Sequence, residues 1–158
     1  MRDALIELID ESIRMELNVA ELYLFFQSAF PEDVEFWWQL ALEEKNHAAL
    51  IRSLKEHFLP LGKFPRDLLS SSLEDILESN AYIDRLLSRY RQQPPGREEA
   101  FRTACLLEDS AAEIHFQKFM SRKGSSKLDE IFRRLNADDR DHGERIRSYM
   151  AARGISPA

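Results

Sequence analysis

A length of 158 residues suits one domain, 1–158, with a core of its own, and a net charge of −6 lacks the basic footprint that nucleic-acid phosphates require. No apolar run approaches the roughly 18 residues of a membrane span. Five glycines and few β-branched runs argue against a sheet-rich fold, and the single Cys105 excludes an internal disulfide and a Cys-x-x-Cys metal site.

Residues 1–14 mix charged and apolar groups, unlike a signal peptide, so a reducing cytoplasm is the expected compartment. From about Asp3 to Ala29, Leu5, Ile9, Ile13, Glu16, Ala20, Tyr23 and Gln27 recur at helical spacing and form one face. Pro31 is suited to open a second helix, and Glu32 and Asp33 suit its positive end. Its inward stripe reads Trp37, Leu40, Ala41, Glu44, His47, Ala48, Ile51, Leu54 and Phe58. Pro60, Gly62 and Pro65 break the pattern. Ser70, Ser71 and Ser72 before Glu74 and Asp75 predict a helix start, with the helix running from about Leu73 to Gln92. Pro94-Pro95-Gly96 ends it.

A helix from about Glu98 to Arg122 carries Phe101, Cys105, Glu108, Ala112, His115 and Phe119 on one side. The last helix, from about Lys127 to Arg153, carries Leu128, Ile131, Leu135, Asp139, His142, Ile146 and Tyr149, and stops at Gly154 and Pro157. The expected fold is therefore all-α: two helical hairpins joined by a long crossover with an additional helix, which is a ferritin-like four-helix bundle connection.

One pattern occurs twice. Glu16 is followed on the next helix by Glu44 and His47, and Glu108 by Asp139 and His142. With 28 acidic residues and four histidines in the chain, an acid three residues before a histidine is unremarkable by itself. What matters is that Glu16, Glu44, Glu108 and Asp139 each interrupt the apolar stripe of their own helix. A carboxylate facing a core costs several kcal/mol or takes up a proton, unless a cation compensates it. Four carboxylates and two imidazoles inside a helical bundle are the ligand set of a carboxylate-bridged pair of metal ions. A metal-free polar network in the core is the alternative.

Other polar residues have plainer readings. Glu43, Lys45 and Asp138 rotate away from the site into solvent, and Glu21 and Glu113 suit ion pairs. Tyr23 and His115 lie seven residues after Glu16 and Glu108, placed to bond a ligand carboxylate or to pack in the core. His57 suits a helix C-terminus and Cys105 a buried structural position. Phe25, Phe26, Phe30, Phe36, Trp37 and Trp38 exceed what one narrow stripe holds, and part of this excess suggests a homodimer interface.

Met15-Glu16-Leu17 with Tyr23, and Leu42-Glu43-Glu44-Lys45-Asn46-His47-Ala48, resemble the helix signatures of the rubrerythrin branch of the ferritin-like superfamily. The resemblance covers nearly the whole chain. It implies Glu16 and Glu108 as terminal ligands, Glu44 and Asp139 as bridges, and His47 and His142 on one metal each. The metals it implies are two iron ions, with manganese or another divalent metal as the alternative. No catalytic residue beyond the ligands is expected.

Three features depart from the family pattern. Asp139 stands where Glu is usual, Ala111 replaces an additional carboxylate, and only Cys105 is available where a rubredoxin-like domain needs several cysteines. The expected function is a di-iron oxidoreductase reacting with peroxide or dioxygen, with electrons from a separate donor protein. Iron binding or storage without turnover is the alternative. No nucleic-acid or membrane partner is expected.

Overall fold

The structure, a computed structural model, describes residues 1–64, 69, 72–109, 130 and 142–157. Every regular element among the described residues is helical: α1 (Arg2–Ala29), a 3-10 turn (Pro31–Asp33), α2 (Val34–Phe58), α3 (Leu73–Gln92) and α4 (Arg97–Glu108). Residues 142–152 are helical as well. None of the described helices is long and apolar enough to cross a membrane. The chain divides into two compact units, Met1–Pro94 and Pro95–Ala158, at the Pro94-Pro95-Gly96 break.

In the N-terminal unit, α1 and α2 form a hairpin. The Phe30 N–H closes α1 on the Phe26 carbonyl at 2.9 Å, and the Asp33 N–H donates to the Phe30 carbonyl at 3.0 Å. Pro31 thus opens a short 3-10 turn and not α2 itself, because its fixed φ and missing N–H suit a first turn. The helices run antiparallel: Lys55 pairs with Asp10 at one end, His47 lies beside Glu16 midway, and Trp37 packs on Tyr23 near the turn. The buried residues fall on the periodic stripes, with Ile9, Ile13, Glu16, Ala20 and Tyr23 on α1. Trp37, Leu40, Ala41, Glu44, His47, Ala48, Ile51 and Leu54 face them from α2. Fully burying a large aliphatic or aromatic side chain stabilises by about 1.5–3 kcal/mol, so this double stripe sets the hairpin register.

The Ser72 hydroxyl accepts the Asp75 N–H at 3.2 Å and starts α3, a cap worth about 1 kcal/mol. Ion pairs join Asp84 to Arg14 at 2.6 Å and Arg91 to Glu21. Both follow the same direction along the two helices, so α3 runs parallel to α1. Exposed pairs of this kind contribute little. The buried Asn80 does more: its amide NH2 donates to the Glu11 carbonyl at 3.0 Å and carboxylate at 2.8 Å, and its oxygen accepts from Asn18 at 3.3 Å.

The aromatic run fills the turn end of the hairpin. Phe26 lies 4.9 Å from Trp37 and 5.9 Å from Tyr90 between ring centroids, and Phe36 packs edge-on against Trp37. Of the six aromatic residues in that run, only Trp38 is exposed.

In the C-terminal unit, Phe101 of α4 stacks on Tyr149 at 5.5 Å, and the Arg153 guanidinium lies over the Tyr149 ring at 3.7 Å from its centroid. The terminal helix ends where Gly154 turns to φ 66°, a conformation glycine adopts without a side-chain clash, and the Ile155 N–H reaches back to the Met150 carbonyl at 2.9 Å. The expected continuation of α4 to Arg122 and the start of the last helix at Lys127 lie outside the described residues.

Candidate metal centre

α2 brings Glu44 and His47 onto one face because they are three residues apart, and the hairpin register sets Glu16 of α1 opposite them. All three are buried, and one ligand atom from each lies within 4.8 Å of the others. His47 Nδ1 is 3.5 Å from a Glu44 oxygen and 3.6 Å from a Glu16 oxygen. Ligands about 2.0–2.2 Å from a metal ion lie roughly 2.8–3.6 Å from one another, the longer values in tetrahedral sites. The trio is therefore already spaced close to what one ion needs, with small side-chain movements closing the difference.

Electrostatics point the same way. The Glu16 carboxyl is pushed up from 4.5 to about 8, chiefly by burial and next by the neighbouring Glu44 charge, with the nearby His47 opposing. Without a cation, the cheapest way to hold two carboxyl groups in this interior is to keep a proton on one of them. A bound cation would take the place of that proton. Two carboxylates and an imidazole are hard and borderline donors, suited to iron, manganese or zinc and poorly suited to soft Cu(I).

In the C-terminal unit, Glu108 and His142 are both buried, with His142 Nδ1 3.7 Å from a Glu108 oxygen. Gly143 beside His142 packs near α4: a β-carbon there would make an ordinary contact with the Glu108 β-carbon at 3.8 Å and would press only on the end of the Arg147 side chain at 3.2 Å. Arg147 pairs with Asp109 across the same contact. Asp139, the remaining predicted ligand, lies outside the described residues, as do Asp138, Ala111, Glu113 and His115.

Neighbouring residues vary in exposure. Glu21 is an exposed ion-pair partner of Arg91, and His57 sits exposed in the last turn of α2. Lys45 is exposed and Glu43 half-buried. Tyr23 is fully buried with its ring 5.6 Å from Trp37. Cys105 is half-buried with its sulfur 3.7 Å from that of Met150, and burial raises its thiol pKa, so it is a packed and unactivated thiol. Asn80 and Gly143 were not singled out by periodicity. The visible signals were a polar residue inside the Ile76–Ile83 stripe of α3, and a glycine directly after a candidate ligand.

No family model matches the chain, and no curated protein and no solved structure matches it.

Proposed function

We propose that the chain is a non-haem di-iron protein with a ferritin-like four-helix bundle, reacting with peroxide or dioxygen on electrons from a separate donor protein. The observation that carries this reading is the buried Glu16, Glu44 and His47 trio, preassembled at metal-ligand spacing. The repeat supports a second set, since Glu108 and His142 also pair in the interior and Asp139 occupies the position equivalent to Glu44. In this reading Glu16, Glu44, Glu108 and Asp139 would supply the carboxylates, and His47 and His142 the imidazoles, that hold the two ions. A reduced iron pair, when bound, would supply two electrons at one place. The protein residues supply orientation, exclusion of water, and a proton held on Glu16 that must leave before its carboxylate can bind.

A second reading, iron binding without turnover, draws on Ala111. The rubrerythrin pattern has a further carboxylate at that position, used when the iron changes redox state, and this chain has a methyl group. Both readings predict two metal ions per chain after anaerobic loading with ferrous iron. They part when peroxide and a reductant are added: an oxidoreductase consumes many equivalents of peroxide per chain, and a binding protein consumes about one. Glu44→Ala and His47→Ala should each weaken metal binding at least about tenfold, whereas Glu21→Ala should leave it unchanged. Metal content well below one per chain in the wild type rules out both.

A further inference from the structure

The face of α2 opposite the metal ligands carries a second pattern. Glu35, Trp38, Leu42, Lys45 and Ala49 are all exposed and recur at alternating three- and four-residue intervals, so they form one straight seam. Trp38 is 50% exposed, Leu42 38% and the flanking Val34 40%. A half-exposed tryptophan stands out in a unit that packs its other clustered rings inside. Glu35 and Lys45 bracket the apolar centre, and neither has an ion-pair partner among the described residues.

The order of charges along the seam selects its occupant. Around a two-fold axis, residue i of one copy meets residue j of the other, and j meets i. Two α2 helices laid antiparallel and centred on Leu40 set Trp38 against Leu42 twice, and Glu35 against Lys45 twice. A parallel arrangement would set Glu35 against Glu35 and Lys45 against Lys45, which is repulsive at both ends. We propose that this seam is a self-association surface, occupied by the α2 helix of a second copy in antiparallel orientation. The proposal stands independently of the metal reading, because it uses none of the ligands and lies on the other side of α2. Only a few side chains per copy contribute apolar area, short of the roughly 1,000 Å² of a stable interface, so the association is weak and concentration-dependent.

The charges make the proposal testable by exchange. Sedimentation velocity across a concentration series should show a reversible monomer–dimer equilibrium for the wild type, weakened by added salt. Glu35→Lys puts Lys against Lys and Lys45→Glu puts Glu against Glu, so each variant alone should dimerise at least about tenfold more weakly. An equimolar mixture of the two should recover a heterodimer, and so should the double exchange Glu35→Lys with Lys45→Glu. Both positions are exposed, so circular dichroism should match wild type throughout. A wild type that stays monomeric at high concentration overturns the proposal and leaves the seam to another partner or to solvent. A dimer indifferent to the single exchanges, or a mixture that fails to recover association, overturns it as well.

Discussion

Glu16, held by burial and by Glu44 at a pKa of about 8, keeps a proton in the folded protein that the unfolded chain releases near 4.5. Folding therefore binds a proton between those two values. The sign follows directly: this group favours the metal-free fold most at low pH, and its contribution is lost as pH rises through about 8. The slope is at most about 1.4 kcal/mol per pH unit. Glu16→Gln keeps the shape and removes the titration, so metal-free Glu16→Gln should gain stability over wild type progressively from pH 5 to pH 8. Urea unfolding in chelator at several pH values measures the difference; parallel curves would mean that Glu16 is ionised at neutral pH. That Glu16, Glu44 and His47 face inward was legible in the sequence, because each interrupts an apolar stripe. That the proton sits on Glu16 was not legible, because it depends on how deeply α2 buries the pair and on which carboxyl the imidazole favours.

At the level of elements, the helical period gave the inner faces of α1 and α2 and the limits of α3, since stripes, prolines and the serine cap are local signals. It could not give the partner of each face. Asn80 shows why: its bonds run to Glu11 and Asn18, on a helix more than sixty residues earlier in the chain. These bonds fix the rise of α3 along α1, and they grip α1 on either side of Glu16. Asn80→Leu keeps the volume and removes the buried amide's hydrogen bonds to Glu11 and Asn18, so it should cost about 1–3 kcal/mol, read as a lower urea midpoint with unchanged slope. By contrast, Glu21→Ala removes an exposed ion pair with Arg91 and should cost less than about 1 kcal/mol. The aromatic run is a further case in which composition left the destination open. Tyr90, on α3, covers Phe25 and Phe26, so most of the excess rings are consumed inside the unit.

For the molecule as a whole, metal and fold are linked by mass action. An ion that binds only the native state adds about 2.7 kcal/mol at a hundredfold excess over its Kd. Ferrous iron under anaerobic conditions, or Mn(II) in air, should therefore raise the melting temperature of the metal-free protein, and chelator should reverse the rise; no shift with either ion would mean that the trio is a polar core and nothing more. The same linkage has a consequence in time. Glu16, Glu44 and His47 all lie on one hairpin closed by a three-residue turn, so they meet through contacts that are short in sequence and fast to form. Any copy of this protein folding before metal arrives must bring two carboxyl groups together early, and between about pH 4.5 and 8 it takes up a proton from solvent as it does so. Refolding in chelator should then slow as the buffer is made alkaline, with Glu16→Gln refolding at a rate indifferent to pH, so that the supply of protons acts as a clock on the birth of the site.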